Sequence, residues 1–334
     1  MKKKKIILKF DKRFKNDDYE LLFNTSSGLE ILQGVNGKED PFALCLPSLL
    51  DIGVMGTCKN RCQFCYQGHD QHPNMKLSDF MSIIDYVHQH TNQVALGGRG
   101  DPNKHPHFAD MLEYCRKHNV VPNYTTSGID LTDDEIEISQ MCGAVAVSDY
   151  GKDFTYDALK RFMDAGIKTN IHQIFDAKTF HKCTSLIKGI DYWSGRVDID
   201  RLNAVIFLLF KPQGSGKQLK FLQPTEIQLE VMANRILEPE CKFKVGMDSC
   251  LANHVLKYVT PSPMQAMSID TCEAARMSGY ITPDMKFKPC SFAECSTEVD
   301  LNGNDLSSVW NASEPFNFFR DVLQQKSNTC PIGF

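Results

Sequence analysis

Between residues 48 and 211, short apolar and β-branched runs alternate with longer stretches whose apolar residues recur every three to four positions. The first kind reads as strands, the second as helices laid across them. The strand candidates are LLDIGVM (49–55), QVALGG (93–98), VVPNYTT (120–126), AVAVSD (144–149), KTNIHQIF (168–175) and AVIFLLF (204–210). Helix signals fall between them. SDFMSIIDYVHQH opens on Ser78 as a cap, and TDDEIEISQM opens on Thr132 with Glu135 three residues on, a capping-box pairing. TYDALKRFMDAG stops at Gly166, the residue type that ends helices. Such alternation predicts a parallel sheet with crossover helices. Six β/α units place the chain in the α/β class, as an incomplete (β/α)6 TIM-like barrel.

The flanks are patterned differently. Residues 1–47 carry three short strand candidates, IILKF, YELLFN and LEILQG, and read as a short β-rich N-terminal extension. From about residue 241 the pattern turns to loops, hairpins and cysteines, so the chain divides into 1–47, a partial barrel over 48–240 and a small cysteine-rich domain over 241–334. In parallel β/α folds the chemistry gathers at the C-terminal ends of the strands. Gly97 to Pro102, Thr126 to Gly128, and Ser148 with Asp149 all sit at such ends, as does a cysteine-bearing loop after the first strand. All of them are expected to open on one rim.

Composition narrows the classes. Apolar residues make up 42% and charged residues 23% of 334, with a net charge of −4, which suits an ordinary globular protein. The basic start MKKKK reads as a solvated tail, and without a wider basic footprint nucleic-acid binding is disfavoured. No run approaches the ~18 apolar residues of a membrane span, and IILKF is too short for a signal-peptide core. The expected location is the cytoplasm, where thiols stay reduced. Thirteen clustered cysteines there point to metal.

The cluster GTCKNRCQFCYQG places Cys58, Cys62 and Cys65 on one tight loop. Three thiolates saturate three corners of a cuboidal [4Fe–4S] cluster and leave one iron open. Zinc held by these three with His69 or His72 is the alternative. The C-x3-C-x2-C spacing, with aromatic Phe64 before the last cysteine, resembles the signature of radical S-adenosylmethionine enzymes. The resemblance implies that S-adenosylmethionine chelates the open iron and is cleaved reductively to a 5′-deoxyadenosyl radical, which takes a hydrogen atom from substrate. LGGRGDP (96–102) is similar to the family's Gly-Gly-Glu segment, implying cofactor contacts by Gly97, Gly98, Gly100 and Asp101, with Asp101 standing where Glu is usual. TTSG and VSD lie where the family contacts ribose and methionine carboxylate, implying roles for Thr126, Ser127 and Ser148, and GIKTNIHQI resembles its fifth strand. The likeness covers about residues 48–210 and also implies a reduced flavodoxin- or ferredoxin-type electron donor.

A second cysteine group follows. DTCEAARMSGYITPDMKFKPCSF sets Cys272 and Cys290 on either side of a predicted hairpin with a PDMK turn, and resembles the auxiliary-cluster half of SPASM and Twitch domains. Met285 stands where that hairpin has glycine, which asks for a different turn. DLSSVWNASEPFNFFRDVLQQ is similar to the helix that follows, with Trp310 and Phe319 as packing residues. The resemblance implies one auxiliary [4Fe–4S] cluster on Cys250, Cys272, Cys290 and Cys330, with Cys295 and then Cys241 as rivals for the fourth place; a zinc ribbon is the alternative.

The remaining candidates are weaker. Cys45, Cys115, Cys142 and Cys183 are scattered and read as small buried hydrophobes. His172 reads as a core histidine or a residue facing substrate. Arg99 and Lys211 lie at strand ends and suit a substrate anion, and KPQGSGK (211–217) reads as a mobile rim loop. HPHF (105–108) leads into a helix. The expected substrate is a peptide or protein, with a small molecule as the alternative, and a non-catalytic iron–sulfur or zinc module is the reading from another class.

Overall fold

The computed structural model describes residues 9–293, 295–326 and 329–333, and for Cys295 the backbone alone. Strands β1 (Lys12–Lys15), β2 (Tyr19–Phe23) and β3 (Glu30–Gly34) form a small antiparallel sheet in that order. Most of IILKF, expected as the first strand, lies outside the described residues, and the first strand observed starts at Lys12.

The barrel sheet follows. Strands β4 (Leu49–Met55), β5 (Gln93–Gly98), β6 (Val121–Thr126), β7 (Val145–Ser148), β8 (Thr169–Phe175), β9 (Ala204–Leu209) and β10 (Lys244–Met247) lie side by side in chain order, all parallel. The first six match the expected strands. Helices α1 (Leu77–Val87), α2 (Phe108–Lys117), α3 (Asp133–Ser139), α4 (Asp153–Asp164), α5 (Phe180–Ile187) and α6 (Glu226–Ile236) cross between them.

The C-terminal stretch joins the same sheet. After α7 (Ser249–Val255) and α8 (Pro263–Ala266), strand β11 (Ser278–Ile281) pairs in parallel with β4, and β12 (Lys286–Lys288) and β13 (Val299–Asp300) continue outward as antiparallel strands. The result is an open sheet of ten strands running from β10 to β13. β10 and β11 thus add to opposite sides of the six-strand frame, from the segment that follows residue 241.

Alternation along the strands sets the two faces. On β8, Thr169, Ile171, Gln173 and Phe175 are buried, whereas Asn170, His172 and Ile174 keep partial exposure toward the lumen. Leu50, Ile52 and Val54 of β4 belong to the core, as do Phe80, Ile83, Ile84 and Val87 of α1. Each such side chain contributes about 1.5–3 kcal/mol on burial, so this strand–helix contact anchors the base from which the cysteine loop springs.

Local signals explain most element ends. Thr132 and Glu135 exchange their capping bonds, 3.2 and 2.8 Å, and Gly166 adopts φ +74 after α4. Ser78 does not cap α1: the helix begins one residue earlier, at Leu77, and the extended Lys76 occupies the cap position. The PDMK hairpin forms, and Met285 takes the left-handed conformation itself, at φ +64, so the turn keeps the backbone that glycine would give it. The helix expected over 305–325 is two, α9 (Leu306–Ala312) and α10 (Glu314–Gln325), broken at the extended Ser313. Pro315 falls in the first turn of α10, where its missing N–H breaks no helical bond. Trp310 and Phe319 are core, as expected.

Candidate functional site

The loop between β4 and α1 carries the three cysteines over the C-terminal ends of the strands. Its backbone is held from below: the Gly56 N–H donates to Asn74 Oδ1 at 3.0 Å and the Cys58 N–H to Gln71 Oε1 at 2.9 Å. Inside it, the Cys65 N–H reaches the Cys62 carbonyl at 3.1 Å, and the Ser215 N–H donates to the Cys65 carbonyl at 2.9 Å. The Gly214 backbone packs directly on Cys65 and Tyr66. Residues 211–217, expected as a mobile rim loop, therefore brace the cysteine loop.

The three thiols lie within electrostatic reach of one another. Burial raises the Cys58 and Cys65 pKa, while Arg99 acts in the opposite sense on Cys65. Thiols so placed become thiolates where a metal takes their charge. Among the described residues no three His, Cys, Asp or Glu side chains are gathered tightly enough for a single metal ion. One zinc ion draws its thiolates to about 2.3 Å, whereas a four-iron cluster spreads them over separate irons. A ring nitrogen of His69 meets the Cys62 carbonyl at 3.0 Å.

Glycines bring the next strand end against this loop. A β-carbon on Gly98, at φ +114, would stand 2.3 Å from the Met55 carbonyl, and one on Gly100 would stand 2.3 Å from the Thr57 carbonyl. Gly97 differs: its β-carbon would meet nothing within 4 Å. The end of β5 thus packs tightly on the cysteine-loop segment at Gly98 and Gly100 and keeps open room at Gly97.

Asp101 lies beyond these glycines and is nearly buried. Its carboxylate accepts the Ser127 N–H at 2.9 Å and the Ser127 hydroxyl at 2.5 Å. Burial raises its pKa, against the Ser127 bonds, and its charge is felt at Cys58. The Thr126 hydroxyl accepts the Gly128 N–H at 3.0 Å, so both hydroxyls of this segment are engaged within the protein. Thr125, one residue earlier, shares the lumen face and meets His172 Nδ1 at 3.4 Å. Burial pulls the His172 pKa down to about 4, leaving a neutral ring. Ser148 ends β7 opposite His172 and is half-buried.

Two residues near the loop escaped the sequence reading. Tyr150 places its hydroxyl 3.5 Å from Cys62 Sγ and its ring 6.0 Å from that of Phe64, closing one side of the chamber. Asp51 faces the lumen from β4 beside Tyr280 of β11, and burial pushes its pKa up to about 7. Alternation along β4 was the available signal for Asp51, a carboxylate within an otherwise apolar strand. Arg99, expected to meet an anion, instead donates to the Gln67 carbonyl. Asp149 is committed to Lys182 at 2.6 Å and to the Trp193 indole N–H at 2.9 Å.

The C-terminal cysteines converge from four separate segments. Cys250 lies in α7, Cys272 before β11, Cys290 after β12 and Cys330 near the end of the described residues. Every pair among the four is within electrostatic reach. Burial pushes the Cys250, Cys272 and Cys290 thiols up to about 12. Cys241 stands apart, its thiol donating to the Phe243 carbonyl at 3.6 Å, and the Cys295 side chain lies outside the described residues. Of the scattered cysteines, Cys115 and Cys183 are buried, Cys142 is half-buried, and Cys45 is exposed and accepts the Tyr19 hydroxyl at 3.1 Å. No helix among the described residues is long and apolar enough to cross a membrane.

No protein-family model matches the chain. It is 24% identical over 143 residues to the tungsten-containing aldehyde ferredoxin oxidoreductase cofactor-modifying protein of Pyrococcus furiosus, covering 42% of this chain and 38% of that protein. It is 23% identical over 263 residues to the PqqA peptide cyclase of Gluconobacter oxydans, covering 71% and 68%. The chain thus spans under half of the first relative and about two thirds of the second. In fold it resembles Streptococcus suis SuiB bound to precursor peptide SuiA, with TM-score 0.67 and 14% identity over 92% of this chain and 90% of SuiB. SuiB bound to S-adenosylmethionine gives TM-score 0.63 and 16% identity over 83% and 68%. These solved structures share the fold of this chain, and the two curated proteins are similar to part of its sequence.

Proposed function

We propose that this protein is a peptide- or protein-modifying radical S-adenosylmethionine enzyme with one auxiliary cluster. The observation that carries the reading is the gathering of Cys58, Cys62 and Cys65 beside the open room at Gly97. Cys58, Cys62 and Cys65 would hold a [4Fe–4S] cluster there, and the cluster with S-adenosylmethionine would supply radical hydrogen-abstraction chemistry. The chain's own residues position and enclose. Gly98 and Gly100 let the β5 end approach the cysteine loop, and Asp101 offers a carboxylate suited to the cofactor's ammonium. Ser148 and the neutral His172 line the same wall, while Phe64 and Tyr150 narrow the access of water.

Cys250, Cys272, Cys290 and Cys330 hold the auxiliary cluster in this reading, supported by their mutual proximity. The segment from residue 241 onward then acts as a SPASM/Twitch-like unit built onto the barrel edges. A reduced flavodoxin- or ferredoxin-type protein is the electron donor. The likeness to a peptide cyclase and to a peptide-bound fold supports a peptide substrate. The likeness to a cofactor-modifying protein favours a small molecule as the second reading.

Anaerobic reconstitution, iron counting and addition of dithionite with S-adenosylmethionine test the proposal. About eight irons per chain and release of 5′-deoxyadenosine are expected. Replacing Cys58, Cys62 and Cys65 by alanine abolishes the release; a wild-type protein with its clusters in place and no 5′-deoxyadenosine refutes the assignment.

A further inference from the structure

Strand β10 ends one side of the ten-stranded sheet and pairs with β9 alone. Its register settles which backbone groups are already used. The Asp248 N–H donates to the Phe207 carbonyl at 3.0 Å, so by the two-residue period of a strand Lys244 and Gly246 turn to β9, and Val245 and Met247 turn outward. No described residue hydrogen-bonds the outward N–H and C=O groups of Val245 and Met247. A sheet edge with free donors and acceptors is a template for one more strand. This edge faces a cavity of about 420 Å³, a size that suits a ligand site. Val245 and Met247 line it, and Asp270 and Glu273 line it from the segment before β11. Gln265 of α8 ties that covering segment to the end of α6, donating to the Leu237 carbonyl at 2.6 Å.

We propose that the outer edge of β10 takes an extended peptide segment as an added strand, with a lysine or arginine side chain of that segment held by Asp270 and Glu273. This rests on the peptide-substrate reading above and names where and how the peptide is gripped. Charge in the cavity is one-sided: three carboxylates line it, and no lysine, arginine or histidine does. Asp248, the third, is committed to Lys211. Asp270 is exposed, Glu273 is half-buried, and neither side chain has a hydrogen-bond or ion-pair partner among the described residues. Arg276, close to both in sequence, is turned to backbone carbonyls, Phe42 at 2.8 Å and Cys272 at 3.3 Å. Main-chain bonds along an edge grip any extended segment, and side-chain contacts beside it select which one. Because β10 runs parallel to the barrel strands, its Met247 end lies toward the rim that carries the cysteine loop. A segment laid along it is led to the barrel mouth.

The test is fluorescence anisotropy of the anaerobically reconstituted full chain with a fluorescein-labelled Val-Lys-Val-Lys-Val amide. Binding is expected, about tenfold weaker for the peptide with glutamate in place of lysine and about three- to tenfold weaker in Asp270→Asn/Glu273→Gln. N-methylation at every second residue removes the donors along one edge of the peptide. One phase of methylation is expected to weaken binding about tenfold or more, and the other to spare it. Val245→Pro, whose lost N–H takes part in no ladder bond, is expected to melt as wild type does and to lose the peptide. Should that variant fail to fold, the two methylation phases decide. Wild-type protein that does not bind the lysine peptide, or that responds equally to both phases, overturns the inference. So does a wild-type dimer that Val245→Pro dissolves, because a second copy then holds the edge. Release of 5′-deoxyadenosine without peptide binding overturns this inference alone. Binding without release, with the clusters in place, overturns the enzyme reading and leaves the peptide site.

Discussion

Asp101 accepts two hydrogen bonds from Ser127, so a single carboxylate ties the loop after β5 to the end of β6. That tie leaves lone pairs on both oxygens for a cationic ligand. A hydrogen bond to a charged group contributes about 1.5–3 kcal/mol. Asp101→Ala is therefore expected to weaken S-adenosylmethionine binding about ten- to a hundredfold. Ser127→Ala, which only loosens the carboxylate, costs less. Equilibrium dialysis on reconstituted protein decides: unchanged affinity in Asp101→Ala would make the residue a strut between strands.

Three neighbouring glycines should behave differently. Gly98→Ala and Gly100→Ala each drive a methyl group to 2.3 Å from a backbone carbonyl of the cysteine-loop segment, so both are expected to lose iron or fold poorly. Gly97→Ala points into open space. It should retain iron and melting temperature while weakening S-adenosylmethionine binding, because the added methyl occupies that room. Iron content, thermal melting and cofactor affinity, measured together, separate the two kinds of glycine. A Gly97→Ala protein that binds the cofactor normally would move the cofactor away from that wall.

Iron content also sorts the C-terminal thiols. Cys250→Ala, Cys272→Ala and Cys290→Ala should each reduce iron from about eight to about four per chain, and Cys330→Ala should do the same. Cys241→Ala is expected to leave iron unchanged, since its thiol turns to Phe243. If Cys295→Ala lost iron and Cys330→Ala kept it, the fourth ligand would be reassigned.

The six barrel strands were legible because each is a β-branched run between helix signals, and the three cysteines because they sit within one loop. What sequence spacing does not carry is pairing at a distance. β11 lies over 220 residues from β4 along the chain yet joins its edge, which brings Tyr280 beside Asp51. The break at Ser313 hinged on one extended residue ahead of Pro315, and the α1 cap falls at Lys76, two positions before the expected Ser78. Lys211 looked like a rim cation because KPQGSGK is glycine-rich and polar, while its burial depends on Asp248 and Phe292 arriving from later segments. Tyr150 gave no periodic signal, being a loop aromatic whose partners, Cys62 and Phe64, come from another strand end.

Asp51 makes stability depend on pH in a direction opposite to that of a salt-bridged carboxylate. Burial raises its pKa from 3.8 to about 7, so the folded protein holds a proton that the unfolded chain releases. Its contribution is fully favourable below the unfolded value, declines as pH rises through the interval, and is lost above about 7. Asp51→Asn keeps the shape and cannot ionise. The variant should therefore be more stable than wild type by about 1–3 kcal/mol at pH 8, a figure reduced from the full shift because the lumen wall reaches solvent. The gap should narrow as pH falls toward 5. Denaturant unfolding of both proteins across that range measures it. Parallel curves would mean that the carboxylate is hydrated in the folded protein, whereas a gap that widens toward low pH would mean that a cation pairs with it inside the barrel.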